Sequence, residues 1–119
     1  ITNGQHGDVC IVAAKTDPTA GAKGISLFLL DKQSAGYEVG TNLEKIGQHC
    51  GDTSELFFDD VPCKEPLGQL NQGFRHLMEE LPRERLILSI CAMGACSGML
   101  NWTIDYTKQR RLFGQALSD

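Results

Sequence analysis

The chain has no Cys-x-x-Cys pair, and none of its three histidines, His6, His49 and His76, stands at metal-ligand spacing from a cysteine or another histidine. A locally encoded zinc centre is therefore not expected. The five cysteines, Cys10, Cys50, Cys63, Cys91 and Cys96, are odd in number, which fits a reducing compartment better than a closed disulfide framework. Positive charge is also scarce: 11 Lys and Arg against 15 Asp and Glu leave a formal charge of −4 and a pI near 5.3. That balance argues against a nucleic-acid-binding surface, which needs clustered cations. Gly47, Gly51, Gly68 and Gly73 form neither a dinucleotide nor a P-loop fingerprint. Ser89 and Ser97 lack the G-x-S-x-G context of a hydrolase nucleophile. The apolar stretches are interrupted by Lys, Asp or Gly before the roughly 20 residues of a membrane span. A soluble protein with no transmembrane segment is expected, without internal repeats or low-complexity tracts.

What is present divides into two halves with different periods. In 119 residues and 13.0 kDa, strand-length apolar runs at Val9–Ala14, Ile25–Leu30 and Leu56–Phe58 are separated by turn residues. A further strand is expected near Tyr37–Val39. Thr16-Asp17-Pro18-Thr19, Gly21 to Gly24 and Ser34-Ala35-Gly36 read as exposed loops. Val61-Pro62 and Pro66-Leu67-Gly68 close this β half with residues that cannot continue a ladder.

After Gln72, Phe74, Leu77, Met78 and Leu81 fall at i, i+3, i+4 and i+7, the stripe of an amphipathic helix. Pro82 lacks an N–H and is expected to separate this short helix from a second, long one running from Arg83 to about Arg111. Leu86 to Cys96 is apolar around most of the helix circumference, so this helix calls for neighbours on several sides. Ala92, Gly94, Ala95, Ser97 and Gly98 would let them approach closely. The chain supplies no further helices for that role. It starts at Ile1 and stops at Asp119 on a charged helical pattern; it reads as part of something longer, where a missing targeting peptide carries no information.

Glu84 is the most informative acid. The expected helix start after Pro82 would place it in a first turn, where the macrodipole favours a carboxylate, between Arg83 and Arg85 and before an apolar run. A carboxylate at an apolar cavity mouth suits a general base. A surface acid complementing the dipole explains the same residues, and on the residues alone that reading carries more weight. Arg110 and Arg111, followed by Leu112-Phe113-Gly114, offer guanidinium forks for phosphate and an aromatic for a planar ligand. Cations at a helix C-terminus with Gly114 as a stop explain the same residues, and on the residues alone that structural reading carries more weight.

Several segments, taken in order, resemble the acyl-CoA dehydrogenase family of flavoproteins. They are Ile-Thr-Asn-Gly at 1–4, Gly-Ile-Ser-Leu-Phe-Leu at 24–29, Lys-Ile-Gly at 45–47 followed by Asp-Thr-Ser-Glu-Leu-Phe-Phe-Asp-Asp-Val-Pro at 52–62, Gly-Phe at 73–74, Glu-Leu-Pro-Arg-Glu-Arg-Leu at 80–86, and Lys-Gln-Arg-Arg-Leu-Phe-Gly at 108–114. The segment around Glu84 is most similar to the long-chain branch. The resemblance implies an α+β chain: residues 1–68 as part of a middle β-barrel domain, and 69–119 as the first helices of a C-terminal four-helix bundle. It implies an FAD enzyme that converts a saturated acyl-CoA to a trans-2-enoyl-CoA, with electrons passed to an electron-transferring flavoprotein. In that family Ile1 and Thr2 would border the flavin, although the aromatic residue that usually precedes them is not in this chain. Arg110, with Arg111 and Phe113, would reach the FAD diphosphate of a neighbouring subunit in a homotetramer; Leu112 stands where the family has a threonine. Glu84 would be the base, Pro82, Arg83 and Arg85 would line the acyl-CoA cavity, and Ala22 and Lys23 would contact the CoA portion. The setting would be the mitochondrial matrix in a eukaryote and the cytoplasm in a bacterium.

Overall fold

In a computed structural model that describes residues 1–119, β1 (Val9–Lys15) and β2 (Ile25–Asp31) pair antiparallel in unbroken register from Val9 opposite Asp31 to Lys15 opposite Ile25. Side-chain alternation along a strand puts one face inward, and β1 accordingly alternates between exposed and half-buried residues. Its partner β2 carries the buried Ser26, Leu27 and Leu30. The expected loop between them contains 3-10 turns over Pro18–Gly24, capped by the Asp17 carboxylate, which accepts from the Thr19 amide at 2.9 Å. Proline follows the cap, where its missing N–H is harmless.

A second ladder joins β3 (Tyr37–Asn42) to β4 (Ser54–Phe58), with Tyr37 opposite Phe58 and Val39 opposite Leu56. The register shifts between Val39 and Asn42. Gly40 sits in that irregularity because a Cβ there would lie 2.7 Å from the Phe57 ring. At the other end, the Tyr37 and Phe58 rings meet edge to face with centroids 5.1 Å apart, a favoured aromatic geometry. The fold is α+β, but β1–β2 and β3–β4 are separate two-stranded sheets and no barrel closes within this chain. Closure needs more strands than these four runs supply.

The chain divides into two compact units, Ile1–Leu77 and Met78–Asp119. The first unit extends past Gly68 because the residues entering α1 (Gly73–Gln109) are tied to β2. Ser26 Oγ accepts from the Asn71 amide at 2.7 Å and bonds Thr16 Oγ1 at 2.7 Å. Thr16 Oγ1 also donates to Asn71 Oδ1 at 2.5 Å. Gly73 is buried against the same strand: a Cβ there would lie 2.8 Å from the Ser26 carbonyl carbon.

The expected break at Pro82 is not found, since α1 runs through it as one helix of 37 residues. An interior proline loses one i→i−4 bond and crowds the preceding turn. Here the apolar pattern continues on both sides of Pro82, and α1 tolerates that single defect. Glu84 therefore lies well inside the helix rather than in its first turn, and the dipole argument for it lapses. The helix ends at Gln109, short of the expected Arg111, and a miniature hairpin follows, β5 (Arg111–Leu112) with β6 (Gln115–Ala116). Phe113 and Gly114 form its turn, both with positive φ, 53° and 87°. Gly114 thus serves a hairpin, where two left-handed residues are required, and is not a helix stop.

Along α1, Leu86, Leu88, Ile90, Met93 and Trp102 are all more than half exposed. An 18-residue window of the helix reaches a mean hydropathy of 1.4, long and apolar enough to cross a membrane by length and composition. The glycines counted as interruptions in the sequence are too weakly polar to bring that mean down to the range of a polar helix.

Candidate functional site

Residues 1–7 form a turn fastened to the strand that precedes α1. Thr2 bridges Thr53, and the Ser54 amide donates to the Ile1 carbonyl at 2.9 Å. Asn3 takes a left-handed φ of 63°, and its amide donates to the Asp52 carbonyl at 3.1 Å. The Asp52 carboxylate accepts from the Gln5 amide at 2.7 Å and contacts His6 Nδ1 at 3.1 Å. The Gln5 amide foremost, then His6, holds the Asp52 carboxyl below its usual value of 3.8. Thr2 is exposed and lines a cavity of about 400 Å³ with Lys45, Gly47, Gln48, Gly51 and Thr53.

Ala22 and Lys23, at the end of the 3-10 turns, line a second cavity of about 480 Å³. Its other walls are Asn71, Gln72, Phe74 and Arg75, the residues around the Ser26 tether. Two cations and an aromatic ring in one concave surface suit a ligand with phosphates and a planar base.

In the second unit, Glu84 stands on α1 with Pro82, Arg83 and Arg85, all four exposed in this chain. Neither cavity lining includes Glu84. The hairpin is bound back to the helix end: the Arg110 amide donates to the Tyr106 carbonyl at 2.8 Å, and the Leu117 amide donates to the Arg110 carbonyl at 2.8 Å. This leaves Phe113 fully exposed at the tip and the Arg110 and Arg111 side chains exposed beside it. No carboxylate lies within ion-pair distance of either arginine.

Residues 1–61 match the family described as acyl-CoA dehydrogenase, middle domain, and residues 71–119 match acyl-CoA dehydrogenase, C-terminal domain. A chain with both segments in this order, on an α+β fold, is of the acyl-CoA dehydrogenase kind. This protein belongs to the acyl-CoA dehydrogenase family. It is 45% identical to the mouse long-chain specific acyl-CoA dehydrogenase, mitochondrial, over 99% of this chain and 28% of the mouse protein. The crystal structure of an acyl-CoA dehydrogenase from Geobacillus kaustophilus superposes with a TM-score of 0.94 at 45% identity, covering 99% of this chain and 32% of that one. A structure described as PigA with FAD and proline gives a TM-score of 0.89 at 31% identity, over 98% of this chain and 31% of PigA. The chain thus spans less than a third of these relatives.

The structure brings Ala22 and Lys23 together with residues that the sequence reading had not singled out, Asn71, Gln72, Phe74 and Arg75. In the sequence Phe74 belongs to a helix stripe and to the Gly-Phe pair at 73–74, neither of which marks it as a cleft wall. A cation beside Phe74 and two positions after Gly73 was the available signal for Arg75. Asp52 was likewise passed over, although it opens the quoted 52–62 segment.

Proposed function

We propose that the protein is a flavin-dependent dehydrogenase that introduces an α,β double bond into a saturated acyl-CoA, giving a trans-2-enoyl-CoA in fatty-acid β-oxidation. The observation that supports this most is a match to long-chain relatives over nearly the whole chain, with Glu84 inside the Pro82–Arg85 segment. Glu84 is the base that removes the α proton. Pro82, Arg83 and Arg85 line the acyl cavity. Lys23 and Arg75 offer charge to the CoA phosphates, and Ala22 and Phe74 give apolar walls to the same cleft.

The residues present fit FAD. The exposed Thr2 hydroxyl lines a cavity, and the hairpin presents two guanidinium groups without carboxylate partners beside an exposed ring. That donor set matches a diphosphate and a planar base. Ile1 and Thr2 border the flavin ring, while Arg110, Arg111 and Phe113 serve the diphosphate end from a neighbouring subunit. Bound FAD supplies the acceptor for the β hydrogen, which leaves as hydride. The electrons go on to an electron-transferring flavoprotein. The exposed face of α1 is covered by further helices of a C-terminal four-helix bundle in a homotetramer, and the strands beyond this chain complete the middle β-barrel. The compartment is the mitochondrial matrix if the source is eukaryotic and the cytoplasm if it is bacterial.

A second reading is an acyl-CoA oxidase or related flavoenzyme on this fold, favoured by the likeness to a structure described as the prolyl acyl carrier protein oxidase AnaB. Oxygen consumption on substrate addition separates the two. A non-catalytic oligomerisation module would hold no flavin at all. The deciding experiment is anaerobic bleaching of the flavin absorbance in the full-length protein by a saturated long-chain acyl-CoA. Wild type should bleach rapidly, whereas Glu84→Gln should keep its flavin and react about 10²- to 10⁴-fold more slowly. Wild-type bleaching in the variant overturns the role of Glu84, and no bleaching with any acyl-CoA overturns the function.

A further inference from the structure

We propose that Asp52 is the positioning residue that sets Thr2 for the flavin, by clasping the turn of residues 1–7 with both its carboxylate oxygens and its carbonyl. This rests on the reading of Thr2 as a flavin contact. Residues 1–7 contain no strand, and the Thr2–Thr53 pairing is an isolated bridge. Their placement depends on a small set of bonds, three of which end on one residue. Asp52 Oδ2 accepts from the Gln5 amide at 2.7 Å, Oδ1 meets His6 Nδ1 at 3.1 Å, and the carbonyl accepts from the Asn3 amide at 3.1 Å.

The side chain of Asp52 is 8% exposed and that of His6 80% exposed, so the carboxylate faces the turn while the imidazole lies at the rim. A carboxylate accepting a backbone N–H makes a charge-assisted bond, stronger than a neutral one. The remaining fasteners of Gln5 are its side-chain amide, which donates to the Gly40 carbonyl at 3.0 Å, and Lys32 Nζ, which donates to the Gln5 carbonyl. These hold the far end of the turn. Between that end and Thr2 stands Asn3 in its left-handed conformation, and the Asp52 contacts to Asn3 and Gln5 fix this bend on either side. When the carboxylate is lost, Thr2 keeps its bridge to Thr53 and Asn3 keeps its bond to the Asp52 carbonyl, but the Gln5 amide and His6 are released from the bend, and the Thr2 hydroxyl is held less rigidly.

The test uses the full-length holoenzyme with four variants: Asp52→Ala, Asp52→Asn, Thr2→Ala and the double variant that combines Asp52→Ala with Thr2→Ala. The readouts are the flavin absorption spectrum, the flavin midpoint potential and the FAD dissociation constant, beside turnover. Asp52→Ala should reproduce the spectral and potential change of Thr2→Ala and raise the FAD dissociation constant about tenfold, the scale of one charge-assisted hydrogen bond. The double variant should be no further shifted than Thr2→Ala alone, because both changes remove one interaction. Asp52→Asn keeps an acceptor for the Gln5 amide but loses the charge assistance, so it should shift the spectrum in the same direction as Thr2→Ala by a smaller amount; if Asp52→Ala fails to fold, an unshifted spectrum and potential in Asp52→Asn overturn the positioning role. A spectral change in Thr2→Ala with a wild-type spectrum and potential in Asp52→Ala overturns the positioning role while leaving the flavin contact intact. No change in Thr2→Ala removes the flavin contact and the proposal with it. Additive shifts in the double variant also overturn it.

Discussion

Replacing Gly73 by alanine should cost stability and weaken substrate binding, against the usual preference of helices for alanine. In an exposed helix interior the change gains about 1 kcal/mol. At Gly73 the new Cβ would lie 2.8 Å from the Ser26 carbonyl carbon, 2.9 Å from its Cα and 3.0 Å from the Ile25 carbonyl oxygen. All three are backbone atoms of β2, which cannot swing aside as a side-chain tip can. Overpacking of this sort costs about 1–3 kcal/mol. Moving the helix start away also stretches the Asn71 amide bond to Ser26 Oγ and the shared Thr16 contact, at about 1 kcal/mol each. The losses outweigh the propensity gain and leave a net destabilisation of about 2 kcal/mol. Asn71, Gln72, Phe74 and Arg75 around Gly73 wall the cleft that also holds Lys23, so KM for acyl-CoA should rise more than kcat falls. Urea denaturation followed by far-UV circular dichroism, with steady-state kinetics on the same full-length variant, measures both. A Gly73→Ala protein as stable as wild type with an unchanged KM would refute the close packing of the helix start on β2.

Phe113→Asn should relieve a left-handed residue at the hairpin tip, since Asn-Gly is the preferred pair for a turn with two positive φ values. We expect thermal stability without FAD to stay level or rise by about 1 kcal/mol, while FAD affinity falls; a loss of apo stability instead would show that the ring is held by packing. The Asp52 carboxyl titrates below 3.8 in the fold, so its contribution to stability is present above that value and is lost as the pH falls through the folded-state pKa. The difference in melting temperature between wild type and Asp52→Asn should therefore be full at neutral pH and shrink as the solution is acidified past 3.8. A difference that grows on acidification would contradict the depressed pKa.

Strand-forming residues were legible because each run carries its own pattern. The β1–β2 pair needed only two apolar stretches separated by breakers, and the structure extends each by one residue, to Lys15 and Asp31. The β3 strand was seen only in part, because Gly40 and Asn42 at its end are turn-forming residues whose extended shape comes from pairing across a bulge. Pro82 misled for a related reason. A local rule predicts a break, but the helix around it is long enough to absorb one lost bond. The hairpin at Arg111–Ala116 was hidden because Phe-Gly is a poor signal for its turn. Among the candidate site residues, Ala22 and Lys23 could be placed on a loop but not matched to Arg75, since nothing in the sequence states that the Thr16–Ser26–Asn71 network brings residues 22 and 75 to one cleft.

The way these groups are held has a physical consequence for how the site tolerates change. Leu27 and Leu30 make up the buried apolar core of this chain, so packing within it contributes little to the placement of the candidate residues. Thr2, the Lys23–Arg75 cleft and the Arg110–Phe113 hairpin are each held by hydrogen bonds to backbone instead: those of Asp52, of Ser26 and of the helix end. Such bonds are directional and short in range, whereas the apolar face of α1 offers area without direction. Substitutions on that face, at Leu88 or Met93 for example, should act on assembly and overall stability with the flavin environment little altered. Substitutions at Asp52, Ser26 or Gly73 should act on cofactor and substrate parameters first, because each removes a constraint that no apolar contact in the chain duplicates.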